Sequence, residues 1–174
     1  MRILAQTALS AALCWSAGAA QAQDGKIQCN VTENGTPSRG TVSVEQAGRQ
    51  VASGSCGRAL SVPAGKCSVT IHLEGALDNP AQTVQVRVDA GKTAPVSVDF
   101  QTAVLEVRIE TTDRKATGLV AVEKSGKRIG TLGSGVAARL SAGTYVVVVR
   151  LGGKEQRYEV DLRPGQRRLV RAQF

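Results

Sequence analysis

The stretch VPAGKCSVTI at residues 62–71 decides the architecture, because it recurs 78 positions later as LSAGTYVVVV at residues 140–149. Each occurrence is an apolar residue, a tight turn that ends in glycine, and a run rich in β-branched residues. The match extends on both sides and pairs Gly40 with Gly118, Val42 with Val120, Val44 with Val122, Glu45 with Glu123, and Gly57 with Gly135. Such self-similarity indicates a duplicated structural unit.

The register of the repeat changes once. Further along the chain the repeats match at an offset of 74 rather than 78, as Val96 does with Val170 and Phe100 with Phe174. The first repeat therefore has four extra residues, which we place in a loop near residues 75–82. We predict a first domain at residues 23–102 and a second at 103–174, after a signal peptide at 1–22.

Both repeats alternate apolar and polar residues in short segments between glycine and proline turns, the pattern of half-buried strands. The predicted strands are 27–31, 41–46, 49–53, 58–62, 66–74, 83–88 and 95–100, followed by 105–110, 119–124, 128–132, 136–140, 144–151, 157–162 and 168–174. Seven short strands in each repeat predict an all-β protein of two tandem seven-stranded β-sandwiches.

The first 22 residues are typical of a bacterial Sec-type signal peptide. Arg2 provides a positive start, residues 3–20 are mostly small and apolar, and Ala20 and Ala22 form a small-x-small cleavage site. A membrane anchor is the alternative, but polar residues interrupt the apolar run, which is shorter than the ~20 residues a span needs. We therefore expect a periplasmic or secreted protein without a transmembrane segment in the mature chain.

Positive charge is concentrated in the second repeat. Residues 23–102 contain seven basic and seven acidic residues, net zero, whereas residues 103–174 contain fourteen basic and seven acidic residues, net +7. The densest basic stretch contains Arg163, Arg167, Arg168 and Arg171. This charge favours an anionic partner, although a solvated surface is the simpler interpretation. Nucleic acid is disfavoured, because export argues against it and the mature chain has only four aromatic residues for base stacking.

The glycine turn and β-branched strand of residues 62–69 and 140–147, followed by a late glycine turn and a final alternating strand, resemble the prealbumin-like (Ig-like) β-sandwich. The chain is similar to carboxypeptidase regulatory-like domains and to repeats of bacterial cell-envelope proteins, over nearly all of residues 27–174. Cys67 departs from the pattern, since a tyrosine is usual there. The resemblance implies a stalk, spacer or ligand-presenting module rather than a catalyst.

Three cysteines remain after signal cleavage, so export favours one disulfide and leaves one thiol that is either free or paired with another chain. Cys29 and Cys67 share the inward parity of their strands. In the prealbumin-like arrangement these strands lie in opposite sheets and start at the same end, which implies a Cys29–Cys67 bond with Cys56 free. A Cys29–Cys56 bond remains the open alternative.

The sequence offers no convincing reaction centre. The one histidine, His72, has the opposite strand parity to the apolar residues around it, and Cys67 points to the other face, so a Cys–His dyad lacks hydrogen-bond reach. The cysteines and His72 also lack the closely spaced ligand pairs of a zinc site. We predict no catalytic residue, no metal and no cofactor.

These observations predict an exported, non-catalytic binding or structural accessory protein of the bacterial cell envelope, whose loops and basic edge contact an anionic partner. That partner is expected to be a protein or an envelope component such as acidic polysaccharide or lipopolysaccharide. The alternative is an inhibitor or accessory subunit of a secreted enzyme, with the 75–82 loop inserted into a cleft. A cysteine-dependent enzyme that uses Cys56 or Cys67 is the least favoured function.

Overall fold

The computed structural model describes residues 24–112 and 118–174. The predicted signal peptide and its cleavage site lie outside the described residues. Within those two ranges all the regular secondary structure is β-strand. The same residues contain no helix long and apolar enough to cross a membrane. The all-β prediction is therefore confirmed.

The described residues form fifteen strands, and each of the fourteen predicted segments overlaps one of them. They are β1 (Asp24–Glu33), β2 (Thr36–Pro37), β3 (Gly40–Gln46), β4 (Arg49–Ser55), β5 (Ala59–Pro63), β6 (Gly65–Leu73), β7 (Ala81–Val88), β8 (Thr93–Phe100), β9 (Thr102–Glu110), β10 (Gly118–Lys124), β11 (Lys127–Leu132), β12 (Ala137–Ser141), β13 (Gly143–Leu151), β14 (Lys154–Leu162) and β15 (Arg167–Gln173). The unpredicted strand, β2, has two residues and pairs with the end of β1.

Each repeat contributes two sheets. In the first repeat, β1 lies between β5, to which it is antiparallel, and β8, to which it is parallel. The other sheet has the order β4-β3-β6-β7 and is antiparallel. The second repeat has the corresponding orders β12-β9-β15 and β11-β10-β13-β14, with β9 parallel to β15. This pairing leaves β8 and β15 as edge strands.

The alternation of side chains builds two hydrophobic clusters. Strand β6 buries every second residue from Cys67 to Leu73. The first cluster takes buried residues from both sheets of the first repeat, between positions 27 and 100, and the second takes them from both sheets of the second repeat, between positions 103 and 172. Each fully buried aliphatic side chain stabilises the fold by about 1.5–3 kcal/mol relative to exposure, so these clusters hold each pair of sheets together.

A glutamine bridges the open corner between the two sheets in each repeat. The Gln82 side chain on β7 donates to the Asp99 carbonyl oxygen on β8 at 3.0 Å, and the Gln156 side chain on β14 donates to the Gln173 carbonyl oxygen on β15 at 2.8 Å. Both pairs are related by the offset of 74. Each bond occupies one backbone acceptor of an edge strand and ties the sheets together at that corner.

Candidate functional site

The four predicted anion-binding arginines do not form one patch. Arg163 lies in the turn before β15, and the other three lie on β15. Because successive side chains of a strand point to opposite faces, Arg167 and Arg171 share the outer face, whereas Arg168 has the parity of the buried residues. Arg167 and Arg171 are ~13 Å apart along the strand at ~3.3 Å per residue. The positive charge is therefore spread along an edge.

Arg167 is bound to a carboxylate of its own sheet. Its guanidinium donates to one oxygen of Glu106 at 2.7 Å, and Arg108 donates to the other at 2.7 Å. Only 5% of Glu106 is exposed, and the hydrogen bonds from Arg167 and then Arg108 hold its pKa below the ordinary value. Since an unpaired buried charge is destabilising, Arg167 and Arg108 together balance the Glu106 carboxylate, and part of the charge of Arg167 is already used within the chain.

The other three predicted arginines keep more of their charge available to a partner. Arg163 lies 3.8 Å from Asp161, and Arg171 lies 3.8 Å from Glu110, both in exposed ion pairs. Such pairs contribute only about 0–1 kcal/mol, so a better anion displaces them easily. Arg168 has no ion pair with any residue in the part of the chain that the structure describes.

A shallow groove of about 470 Å³ lies between the edges of β14 and β15. It is lined by Gln156, Arg157, Tyr158, Arg171 and Gln173. Sequence reasoning misses Arg157, because it lies on the preceding strand β14, outside the basic stretch 163–171, and only the fold brings it beside Arg171. The one feature of the sequence that hints at this groove is the repeat, because the sixth and seventh predicted strands occupy equivalent positions in both units.

Arg157 is held in a defined position by carboxylates on its own sheet. It donates to Glu155 at 3.1 Å and to Glu123 at 2.7 Å, and these bonds raise the pKa of the guanidinium. The glutamate matched to Glu123 in the first repeat is Glu45, but its surroundings hold no equivalent arginine, since Thr83 replaces Arg157 there. An arginine at this position is therefore present in the second repeat alone.

The 75–82 loop packs against the second repeat. Ala76 forms a parallel β-bridge with Arg139, and the Leu77 N–H donates to the Arg139 carbonyl oxygen at 2.8 Å. The Leu77 side chain packs against the second hydrophobic cluster. The extra residues of the first repeat thus extend the core of its neighbour.

Asp78 anchors the same loop by its carboxylate. It accepts hydrogen bonds from the Ser141 N–H at 3.1 Å and from the Tyr145 hydroxyl at 3.2 Å. Burial first, and the nearby Asp78 carboxylate second, raise the pKa of Tyr145 well above its ordinary value. The loop is therefore occupied within the chain, which argues against its insertion into the cleft of another protein.

A polar network fixes the short connection between the repeats. Arg139 donates to the carboxylate of Glu33 and, at 2.8 Å, to the Glu74 carbonyl oxygen. The Thr102 hydroxyl donates to the other oxygen of Glu33. The Asn34 side chain donates to the Thr102 carbonyl oxygen at 3.0 Å and accepts from the Thr102 N–H at 3.0 Å. These bonds and the loop contacts restrict the orientation of the two repeats.

The predicted Cys29–Cys67 disulfide is wrong. The structure joins Cys29 to Cys56, with 4.8 Å between their Cα atoms, and leaves Cys67 as a buried free thiol. Cys29 is the sixth residue of β1 and Cys67 the third of β6. Counted from the first residue of each strand, Cys29 therefore lies ~10 Å further along than Cys67, at ~3.3 Å per residue. Cys56 reaches the right depth because the Gly57 N–H donates to the Cys29 carbonyl oxygen at 2.8 Å.

Cys67 and His72 do not form a dyad. Both lie on β6, but five positions apart and on opposite faces. Burial raises the pKa of the Cys67 thiol, which keeps it protonated and disfavours a nucleophile. His72 is half-buried, and its Nδ1 atom is buried without a hydrogen-bond partner. Within residues 24–112 and 118–174, no three His, Cys, Asp or Glu side chains are grouped closely enough to hold a metal ion.

No family model matches the chain, and no curated protein matches it. Among solved structures, the Bacillus anthracis TIE protein is 13% identical with a TM-score of 0.42, and the match covers 87% of this chain and 34% of that one. The chain thus spans about a third of that protein's length. GBS52, the minor pilin of Streptococcus agalactiae, is 11% identical with a TM-score of 0.44, covering 87% of this chain and 94% of that one. A fimbrial protein from Bacteroides ovatus is 8% identical with a TM-score of 0.30, covering 84% and 48%.

Proposed function

We propose that the chain is an exported, non-catalytic binding protein of the bacterial cell envelope, built from two tandem seven-stranded, prealbumin-like sandwiches that meet between residues 102 and 103. The repeated sheet orders and the two hydrophobic clusters support this architecture. In this proposal the sheets form a rigid support, and the basic edge of the second repeat contacts an anionic partner in the periplasm or outside the cell.

The observation that carries the proposal is a difference between the repeats. Arg163, Arg168 and Arg171 are exposed along one edge of the second repeat. The residues matched to them in the first repeat are Asp89, Ala94 and Ser97. Because the first repeat has the same sheet order without these cations, the scaffold does not need them. A positive charge that the fold does not require, concentrated on one edge, attracts a partner of opposite sign.

The two other candidate functions have less support. An inhibitor that inserts the 75–82 loop would first have to break the contacts that Leu77 and Asp78 make with the second repeat. A cysteine-dependent enzyme would need an accessible thiolate, whereas Cys56 is in a disulfide and Cys67 is buried.

The test compares the mature chain with two variants that lose the same charge. The first variant replaces Arg163, Arg168 and Arg171 with glutamine. The matched control makes the same change at three exposed arginines of the first repeat, Arg49, Arg58 and Arg87. Thermal melts of all three proteins establish that the folds are intact.

Retention is measured on immobilised lipopolysaccharide, alginate and polyglutamate, from about 0.1 M NaCl, where the Debye length is ~10 Å, to about 1 M, where it is ~3 Å. The mature chain and the control should bind at least one probe at low salt and release it at high salt. The first variant should bind roughly tenfold more weakly, since three contacts of about 0.5 kcal/mol each sum to about 1.5 kcal/mol. Equal loss in both variants, or retention that is independent of salt, would contradict the proposal.

A further inference from the structure

The edge strand β15 has backbone groups that point away from its sheet. Two bonds set the phase of its pairing with β9: the Val104 N–H donates to the Gln166 carbonyl oxygen at 2.8 Å, and the Phe174 N–H donates to the Glu110 carbonyl oxygen at 3.0 Å. Alternate residues of a parallel strand form hydrogen bonds with the neighbouring strand, so the backbone N–H and C=O groups of the even-numbered residues of β15 point toward β9. The residues whose N–H and C=O groups face outward are Arg167, Leu169, Arg171 and Gln173, and the Gln173 carbonyl oxygen already accepts a hydrogen bond from Gln156.

The equivalent edge of the first repeat is blocked by proline. Strand β8 pairs with β1 in the same sense and phase, since the Lys26 N–H donates to the Lys92 carbonyl oxygen at 2.8 Å. Pro95 occupies the position that Leu169 has in β15 and cannot donate a hydrogen bond to an added strand. Proline is one of the devices that protect sheet edges from pairing with other chains. The second repeat lacks it and leaves 37% of Leu169 exposed.

The side chains that flank this edge determine which strand fits it. Arg167 and Arg171 lie on the same face on either side of Leu169, and Arg157 lines the opposite side of the adjoining groove. Two β15 strands paired antiparallel about Leu169 would place Arg167 opposite Arg171, and like charges directly opposite are destabilising. The edge therefore disfavours another molecule of this chain and favours a strand with acidic residues.

We propose that the β15 edge binds an extended acidic segment of a partner protein by strand addition. The segment has the pattern acidic–x–apolar–x–acidic, with its apolar residue beside Leu169 and its carboxylates beside Arg167 and Arg171. Arg167 keeps its bond to Glu106 while it binds, because a guanidinium has five N–H donors. This inference rests on the proposed function, since it names the class of anion that binds the basic edge.

The experiment measures the fluorescence anisotropy of a labelled peptide with the core TETVTET, and of the scrambled peptide TEETVTT, against the mature chain. Leu169→Pro copies the residue of the first repeat, removes the outward N–H and leaves the charge unchanged. It should weaken binding of the ordered peptide at least about tenfold, and the scrambled peptide should bind the unmodified chain more weakly by a similar factor. Amide hydrogen exchange of Leu169 and Arg171 should slow when the ordered peptide binds.

A transplant tests the same inference without altering the second repeat. Replacing Thr93 with arginine, Pro95 with leucine and Ser97 with arginine gives β8 the first three outward residues of β15. The triple variant should bind two ordered peptides per chain instead of one. A variant that stays folded, as judged by its thermal melt, and still binds one peptide overturns the inference.

The outcomes separate strand addition from general anion binding. Equal affinity for both peptides, without slower exchange of the outward amides, overturns strand addition while the anionic surface of the proposed function stands. Failure to bind either peptide also overturns it, whereas failure on every immobilised anion overturns the proposed function itself. A concentration-dependent dimer that Leu169→Pro abolishes would show that β15 pairs with another molecule of this chain, and the acidic segment would be wrong.

Discussion

Replacing Gly130 with alanine should loosen the contact between the repeats while leaving each of them folded. An ideal Cβ at Gly130 would lie 2.6 Å from Cδ1, 2.8 Å from Cγ and 3.0 Å from Cδ2 of Leu77. Ordinary contacts between carbon atoms are about 3.5–4.0 Å, so Leu77 would have to retreat by about 1 Å. Because Cγ is too close as well as the terminal methyl groups, the loop itself has to shift.

The first repeat shows that the position accepts a Cβ when nothing docks on it. Ala52 on β4 occupies the position that Gly130 has on β11, and it packs against the first hydrophobic cluster. Gly130 is also absent from the glycines of the described residues that have a positive φ, so its backbone suits alanine. The three atoms nearest to the added Cβ all belong to Leu77, which makes that side chain the obstacle.

The magnitude follows from two opposing effects. Overpacking a well-packed contact costs about 1–3 kcal/mol. In a chain that also carries Leu77→Ala the obstacle is gone, and glycine to alanine then stabilises by about 0.4–1 kcal/mol, because the unfolded chain loses conformational freedom. The effect of Gly130→Ala on the free energy of unfolding should therefore differ between the two backgrounds by roughly 1.5–4 kcal/mol.

Urea unfolding of the unmodified chain, both single variants and the double variant, followed by circular dichroism, gives this coupling energy. Small-angle scattering of the same proteins reports whether the two repeats separate. If Gly130→Ala costs the same with leucine or alanine at position 77, the reasoning is refuted, because the obstacle would then lie elsewhere in the fold.

Reduction of the Cys29–Cys56 bond, which joins residues 27 positions apart, should lower the free energy of unfolding by about 3–4 kcal/mol in the chain-entropy description. Calorimetry with and without reductant measures this loss. The Cys67→Ala variant should lose the same amount on reduction, because Cys67 is outside the bond. The depressed pKa of Glu106 contributes stability that is present above the ordinary carboxyl pKa of about 4.3 and is lost as the pH falls through the folded pKa. Glu106→Gln should therefore flatten the acid side of the curve of melting temperature against pH, and an unchanged acid side would contradict this. Tyr145→Phe should cost about 1–2 kcal/mol in urea unfolding, because the single hydroxyl proton of Tyr145 is shared between the Ser141 carbonyl oxygen and the Asp78 carboxylate of the other repeat, and phenylalanine removes that donor.

The positions of the strands follow from the sequence because the information is local. A side-chain period of two is visible within a single strand, and the repeat supplies each assignment twice. The same parity correctly indicates that Cys67 and His72 lie on opposite faces of β6. Predictions that depend on one strand alone are therefore the reliable ones.

Predictions that depend on the relative placement of two strands fare less well. Cys29 and Cys67 share inward parity, but parity carries no information on depth, and the three-residue difference in depth along their strands decides the disulfide. The basic stretch suggests one cluster of arginines. In the structure Arg167 is bound to Glu106, and the arginine that lines the groove with Arg171 is Arg157 of β14. The four extra residues are visible in the sequence, but the surface that receives them is not.

Duplication separates what the fold requires from what each repeat contacts. Where both repeats have the same residue, as at the two bridging glutamines, the common scaffold explains it. Where they differ at a position of the same geometry, the surroundings must explain it: Gly130 replaces Ala52 because Leu77 docks there. By the same logic Leu169 in place of Pro95 is no demand of folding, since β8 holds its place in the ladder with the proline. An unprotected edge is an aggregation hazard, and a partner strand that covers it gives a physical reason for its retention.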